Sequence, residues 1–214
     1  MTTIGFLHTA HSHAPLFDDI ARELAPGVQV IHQSEPGLLA AVTEHGLTAE
    51  VLQGVNDALA KLIKDGAEVI SCTCSTLGPL VEGRVLDSVS VLRIDRAAAD
   101  SLMDEDRVLV LAALESAAEA ADELLRASSE RRETGSRWVV VLVPGAWEKF
   151  QAGDLQGYWD CVSEYANRFV SDYDVVFLSQ ASMAGAAANC RHGRVVTTPV
   201  PGVEALLKAA SSTA

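Results

Sequence analysis

A mixed α/β protein with mainly parallel sheets, built as two pseudo-symmetric lobes, is the fold class this sequence predicts, and three observations carry it. Short apolar, β-rich runs alternate with Ala/Leu/Glu-rich amphipathic stretches, the signature of βαβ units. Gly or Pro punctuates most of the junctions between them. Two segments recur about half a chain apart: Ile4 to Thr9 resembles Val108 to Ala113, and Gly66 to Thr76 resembles Asp172 to Ser182.

Strands are expected at Thr3 to Leu7, Val28 to Gln33, Glu68 to Cys72, Val89 to Ile94, Arg107 to Ala112, Trp138 to Val143, Asp174 to Ser179 and Arg194 to Thr197, each an apolar run of strand length. Helices are expected at Pro15 to Leu24, Ala49 to Asp65, Leu77 to Leu86, Ser116 to Ser129, Gly157 to Val170 and Gly202 to Ala210, where apolar residues recur at helical spacing. The boundary falls near Asp95 to Asp104. Residues 1–95 then form the first lobe, with a C-terminal helix at 198–214 packing back on it, and residues 96–197 form the second. Ligands of parallel α/β folds sit at the carboxyl ends of strands, so an active-site cleft between the lobes is expected.

The 214 residues carry 16 Lys plus Arg against 29 Asp plus Glu, a formal charge of −13. That balance repels phosphate backbones and anionic lipid, so neither nucleic acid nor a membrane surface is an expected partner. No apolar run is long enough to cross a bilayer, and the first residues have no basic n-region or cleavage site. A cytoplasmic protein is expected, its four cysteines either packed or chemically used in a reducing compartment. There is no GxGxxG, GxxxxGK[ST], GxSxG or CxxC pair, so dinucleotide, P-loop, hydrolase-elbow and zinc-ribbon readings have no footing.

Cys72 to Pro79, the run CTCSTLGP, is the most informative segment. Cys74 falls after a buried strand and before an expected helix, where free N–H groups and the helix dipole favour thiolate and make a thiol a usable base. Ser75 and Thr76 add hydroxyl donors, a seat for a carboxylate. The alternative is a buried structural cysteine with Ser and Thr capping a helix. Cys72 reads as core, and Cys161 and Cys190 as structural.

Several segments carry a resemblance taken together. They are the first strand ending in His8-Thr9, the strand Gly66 to Ile70 leading to Cys74-Ser75-Thr76, the strand Val110 to Ala112 leading to Ser116, Gly145-Ala146 followed by Gly153-Asp154, and Asp174 to Met183. In order and spacing, over nearly the whole chain, they resemble the aspartate/glutamate/hydantoin racemase superfamily. That resemblance implies two pseudo-symmetric lobes, a homodimer, and cysteine acid–base chemistry without a cofactor or metal at the α-carbon of a small carboxylate substrate. The first family cysteine matches Cys74; the second falls where this chain has Gln180. An amide cannot exchange a carbon-bound proton, although Gln180 and Ser182 can hydrogen-bond a carboxylate or an enediolate-like intermediate. Family members that keep one cysteine include decarboxylases, so a one-base lyase stands beside a racemase or other isomerase. A non-catalytic carboxylate-binding protein is the third alternative.

The resemblance gives Cys74, His8 and Gln180 the catalytic places, and Thr9, Ser75, Thr76, Ser116 and Ser182 the substrate-binding ones. His8-Thr9 stands where the family commonly has an acidic residue and Ser, and His8 is the candidate for a second proton. His11 and His13 read as surface-loop residues. A metal-hydrolase reading of His-x-His lacks a second histidine pair and the chain length of a (β/α)8 barrel. Glu115, Glu119, Asp122 and Glu123 read as a solvated helix face. Trp147, Tyr158 and Trp159 suggest a loop that lids a cleft or packs on a second subunit.

Overall fold

The computed structural model describes residues 2–169 and 171–212. Met1, Val170, Thr213 and Ala214 lie outside that description, and with them the sequence-predicted end of one helix at Val170 and the last two residues of the 198–214 helix. The chain divides into two compact units, Met1–Ile94 with Pro199–Ala214, and Asp95–Thr198.

The first unit begins with β1 (Thr3–His8), α1 (His13–Leu24), β2 (Gln29–Ser34), α2 (Pro36–His45), α3 (Ala49–Lys64) and β3 (Val69–Cys72). It continues through α4 (Gly78–Val81), β4 (Arg84–Leu86) and β5 (Val89–Arg93). The sheet order is β2-β1-β3-β5-β4, parallel except for β4. All four residues of β3 are buried, as befits a central strand covered on both faces. On one face Leu7, Ile70 and Cys72 pack under Val51, Val55, Leu59 and Leu62 of α3. Thr48 starts that helix by accepting the Val51 N–H, satisfying one of its orphan donors. On the other face Phe6 packs at a tilt against Phe17 of α1, ring centroids 5.0 Å apart.

The second unit holds α5 (Arg96–Ser101), β6 (Arg107–Ala112), α6 (Glu115–Arg132), β7 (Arg137–Leu142), α7 (Ala146–Gln151) and α8 (Leu155–Ala166). After a short 3-10 turn at Asn167–Phe169 come β8 (Val175–Leu178), a 3-10 helix at Ala181–Asn189 and β9 (Val195–Thr197). Its sheet is parallel throughout, in the order β7-β6-β8-β9. Alternation sorts the core: Leu109, Leu111, Val176 and Leu178 face Tyr158 and Val162 of α8. Val108, Val110, Val175 and Phe177 face Leu124 and Leu125 of α6 on the other side.

The chain then re-enters the first unit as α9 (Pro199–Ser212), which packs on α1, β1, β3 and β5. A Cβ at Gly202 would lie 2.3 Å from the Ile94 carbonyl oxygen, so only glycine allows this helix to approach the backbone so closely. Among the described residues no helix is long and apolar enough to cross a membrane.

The helix expected over Leu77 to Leu86 is corrected. One turn forms at Gly78–Val81, Gly83 takes φ +71°, and Arg84–Leu86 turns back as a strand antiparallel to β5. Asp87 and Ser88 both adopt positive φ at the hairpin, matching the tight two-residue turn. Apolar spacing in Leu80, Val81 and Leu86 mimics a helix here, and glycine breaks it.

Candidate functional site

At the end of β3 the chain is fastened to β1. The Thr73 N–H donates to the Leu7 carbonyl at 2.9 Å, and the Thr73 hydroxyl lies 3.2 Å from the same oxygen. Cys74, Ser75 and Thr76 follow in a buried turn, 7%, 7% and 4% exposed. The Gly78 N–H closes that turn on the Ser75 carbonyl at 3.0 Å. Cys74 packs in the same cluster as Leu7, Cys72 and Leu77. Thr9, just past β1, is 6% exposed. With only one helical turn after it, Cys74 lacks the long-helix dipole expected from the sequence, a correction that leaves burial and hydroxyl neighbours as its environment. Cys72 is core, its thiol directed at the Cys74 carbonyl at 3.8 Å.

The second unit repeats this fastening with other residues. Register pairs Leu7 with Cys72 in one sheet and Leu111 with Leu178 in the other. Thr73 to Thr76 therefore correspond to Ser179 to Ser182, and Cys74 to Gln180. Ser179 bonds the Leu111 carbonyl through its N–H at 3.2 Å and its hydroxyl at 2.8 Å. The Gln180 Oε1 accepts the Ala113 N–H at 2.7 Å. A backbone N–H can only donate, so this contact fixes the amide and turns its two N–H donors elsewhere. Ser182 exchanges a hydrogen bond with the Tyr158 hydroxyl at 2.9 Å, and its carbonyl accepts the Trp159 indole N–H at 2.8 Å. Ser116 lies in the first turn of α6.

Tyr158 and Trp159 therefore anchor the turn that carries Ser182. Tyr158 is fully buried, and burial pushes its phenol pKa up, so it stays neutral. The lid or subunit-contact reading is corrected for Tyr158, which belongs to the core of its own unit.

The first unit holds a cluster the sequence did not assemble. The His8 Nδ1 lies 2.8 Å from the Thr73 hydroxyl and its Nε2 lies 2.9 Å from His32 Nδ1. His13 Nδ1 lies 3.5 Å from the Thr73 hydroxyl. His32 Nε2 faces Asp18 Oδ1 at 3.6 Å. Phe6 and Phe17 pack against these rings. Burial, with His13 and His32 beside it, lowers the His8 pKa to about 3, and burial lowers that of His13 to about 4. Both rings are neutral at neutral pH, so His8 carries no charge for a carboxylate. The surface-loop reading of His13 is corrected: it opens α1 and is buried, whereas His11 is exposed. His32 and Asp18 were not legible as partners, because only the β1–β2 pairing, Phe6 against His32, sets that ring on the His8 face.

Cys161 and Cys190 donate to the carbonyls of Pro144 and Ala186 at 3.2 and 3.3 Å, and burial raises both thiol pKa values. Neither is set up as a nucleophile. No group of three or more metal-ligating side chains is suitably placed for a metal ion among the described residues. An open pocket of about 510 Å³ between α3 and β4, lined by Asn56, Lys64, Arg84 and Asp87 among others, contains none of the sequence-predicted site residues.

No protein-family model and no curated protein matches the sequence. Solved structures do. The aspartate racemase of Picrophilus torridus superposes with a TM-score of 0.76 at 14% identity, over 99% of this chain and 95% of that one. Allantoin racemase from Pseudomonas fluorescens gives 0.67 at 16%, over 99% and 92%. Glutamate racemase from Thermus thermophilus gives 0.65 at 16%, over 99% and 81%. The chain has the fold of the aspartate/glutamate/hydantoin racemase superfamily.

Proposed function

We propose that this protein is a cofactor-independent, racemase-type enzyme in which Cys74 moves a proton at the α-carbon of a small carboxylate. The observation that carries the reading is the equivalence of Cys74 and Gln180 at matching strand ends of two like units in a racemase fold. A racemase working from both faces of a carbon needs a titratable group on each. Gln180 is an amide and His8 has both ring nitrogens engaged, so this reading favours chemistry with a single thiol. Cys74 then delivers or removes the proton on one face, as an isomerase or as an arylmalonate-decarboxylase-like lyase in which loss of CO2 leaves a carbanion for the thiol to protonate. The amide donors of Gln180, with Thr9, Ser75, Thr76, Ser116 and Ser182, are assigned to carboxylate recognition and to stabilising the developing charge. A homodimer in the cytoplasm is part of the same proposal.

Proton NMR in D2O with amino acids, hydantoins and substituted malonates tests it, run on the wild type and on Cys74→Ser. The reading expects deuterium at one face of an α-carbon, or CO2 loss with one-sided labelling, and its loss in the variant. Labelling of both faces would instead establish a two-base racemase. Equal ligand binding by both proteins with no exchange on any compound would sink the enzyme reading and leave a binding protein.

A further inference from the structure

The histidine cluster has a direction. The His32 Nε2 makes no hydrogen bond, but the Asp18 carboxylate 3.6 Å away favours an N–H at that nitrogen electrostatically. In a neutral imidazole the other nitrogen, Nδ1, is then an acceptor, and it takes the His8 Nε2–H at 2.9 Å. His8 Nδ1 is left as an acceptor for the Thr73 hydroxyl at 2.8 Å. Each tautomer is thus set by the one before it, from Asp18 to the residue that precedes Cys74.

The Thr73 hydroxyl has His8 Nδ1 at 2.8 Å and the Leu7 carbonyl at 3.2 Å as its nearer acceptors, with His13 Nδ1 of α1 farther off at 3.5 Å. It has one hydrogen to give. Adding one proton to the chain leaves His32 as an imidazolium that donates from Nδ1 to His8 Nε2. His8 then carries its hydrogen on Nδ1 and donates to the Thr73 oxygen, and the Thr73 hydrogen turns to Leu7.

We propose that His32 and Asp18 are positioning residues that, through the tautomer of His8, decide which acceptor the Thr73 hydroxyl serves and so couple the Cys74 turn to protonation of His32. The added charge rests on His32, whose side chain and that of Asp18 keep 21% and 25% exposure although the His32 Nε2 atom is itself buried, while His8 has none. Burial lowers the His32 pKa, Asp18 beside it opposes that shift, and Arg22 of the same helix reinforces it. His8 of β1 is the titratable neighbour within the sheet, and the charged residues of α9, Glu204 and Lys208, are exposed. The α3 side of β2 is reached by Ile31, which alternates to the opposite face from His32. The link to catalysis rests on the reading of Cys74 given above.

The test is 15N NMR of the full chain labelled at histidine and on the backbone, titrated from pH 8 to 5, with α-proton exchange measured in the same samples. In the wild type, His8 is expected to show a bare Nδ1 and a protonated Nε2 at high pH and to exchange them as His32 protonates, and the Cys74 amide shift is expected to follow. His32→Phe keeps the ring packing and should abolish the His8 step and the Cys74 response. Asp18→Ala should move the step down by about 1 pH unit, and Arg22→Ala should move it up. A His8 that holds Nδ1–H throughout, or a Cys74 amide indifferent to His32→Phe, would overturn the relay. An intact NMR response with no exchange on any substrate would uphold the relay and count against the proposed enzyme instead.

Discussion

The two units solve the same structural problem with different chemistry. In each, the residue after the central strand bonds back to the end of its neighbour, Thr73 to Leu7 and Ser179 to Leu111. In the first unit that hydroxyl is also held by His8 and lies within reach of His13, and a thiol follows. In the second, Ala112 stands where register puts the counterpart of His8, and an amide follows. The framework fixes where a side chain stands at a strand end. Which groups titrate there is set independently in each half.

The largest expected effect breaks that asymmetry directly. Cys74→Ser is expected to slow α-proton exchange by roughly 10²- to 10⁴-fold, the range for losing a general acid–base group, with an unchanged thermal melt. On the proposed reading, Gln180→Cys places a thiol at the matching position and should convert one-faced deuterium labelling into labelling on both faces; labelling confined to one face in that variant would count against that reading.

Acid should separate the units next. The His8 and His13 pKa values are depressed in the folded chain, to about 3 and about 4. Below pH 6.5 the unfolded chain binds protons that the folded one refuses, so stability is full above that pH and falls as pH drops towards 4. The slope is about 1.4 kcal/mol per pH unit for each fully linked histidine. In the second unit His192 lies between the Tyr173 and Arg194 carbonyls outside any such cluster. Trp138, Trp147 and Trp159 all belong to that unit, so tryptophan fluorescence reports it alone. Imidazole NMR should show the first unit failing at higher pH than fluorescence shows the second; coincident transitions would mean that the histidine burden is shared.

Two smaller effects sharpen the contrast. Thr73→Val leaves the buried His8 Nδ1 without its partner and should cost about 1–3 kcal/mol in urea unfolding, against about 1 kcal/mol for Ser179→Ala, which removes one hydrogen bond to a carbonyl that keeps another. Tyr158→Phe removes the bond to Ser182 and should cost about 1 kcal/mol without moving any His8 resonance.

Most of the architecture was legible because buried parallel strands are continuous apolar runs. All eight predicted strands form, within one or two residues of their expected ends. The misses are elements with weak local signals. β4 is three residues long and depends on a hairpin with positive φ at Asp87 and Ser88, and α5 and α7 have six residues each. α2 starts at Pro36-Gly37 and buries only Val42. Cys74 and Gln180 could be found because they follow strands at matched offsets. His32 could not, since Phe6 meets His32 only once β2 is in register beside β1. Asp18, on α1, needs the helix packed on that face as well.

The re-entry of α9 gives the order of synthesis a consequence. Every residue of the second unit is made before the helix that covers α1, β1, β3 and β5 of the first. The half translated first is therefore the half completed last. On the ribosome its uncovered sheet face waits through the making of 104 residues, Asp95 to Thr198, while the inserted unit has all it needs to close. A chain stalled just before Pro199 should protect β6 and β8 from proteolysis while β1 and β3 stay open to it.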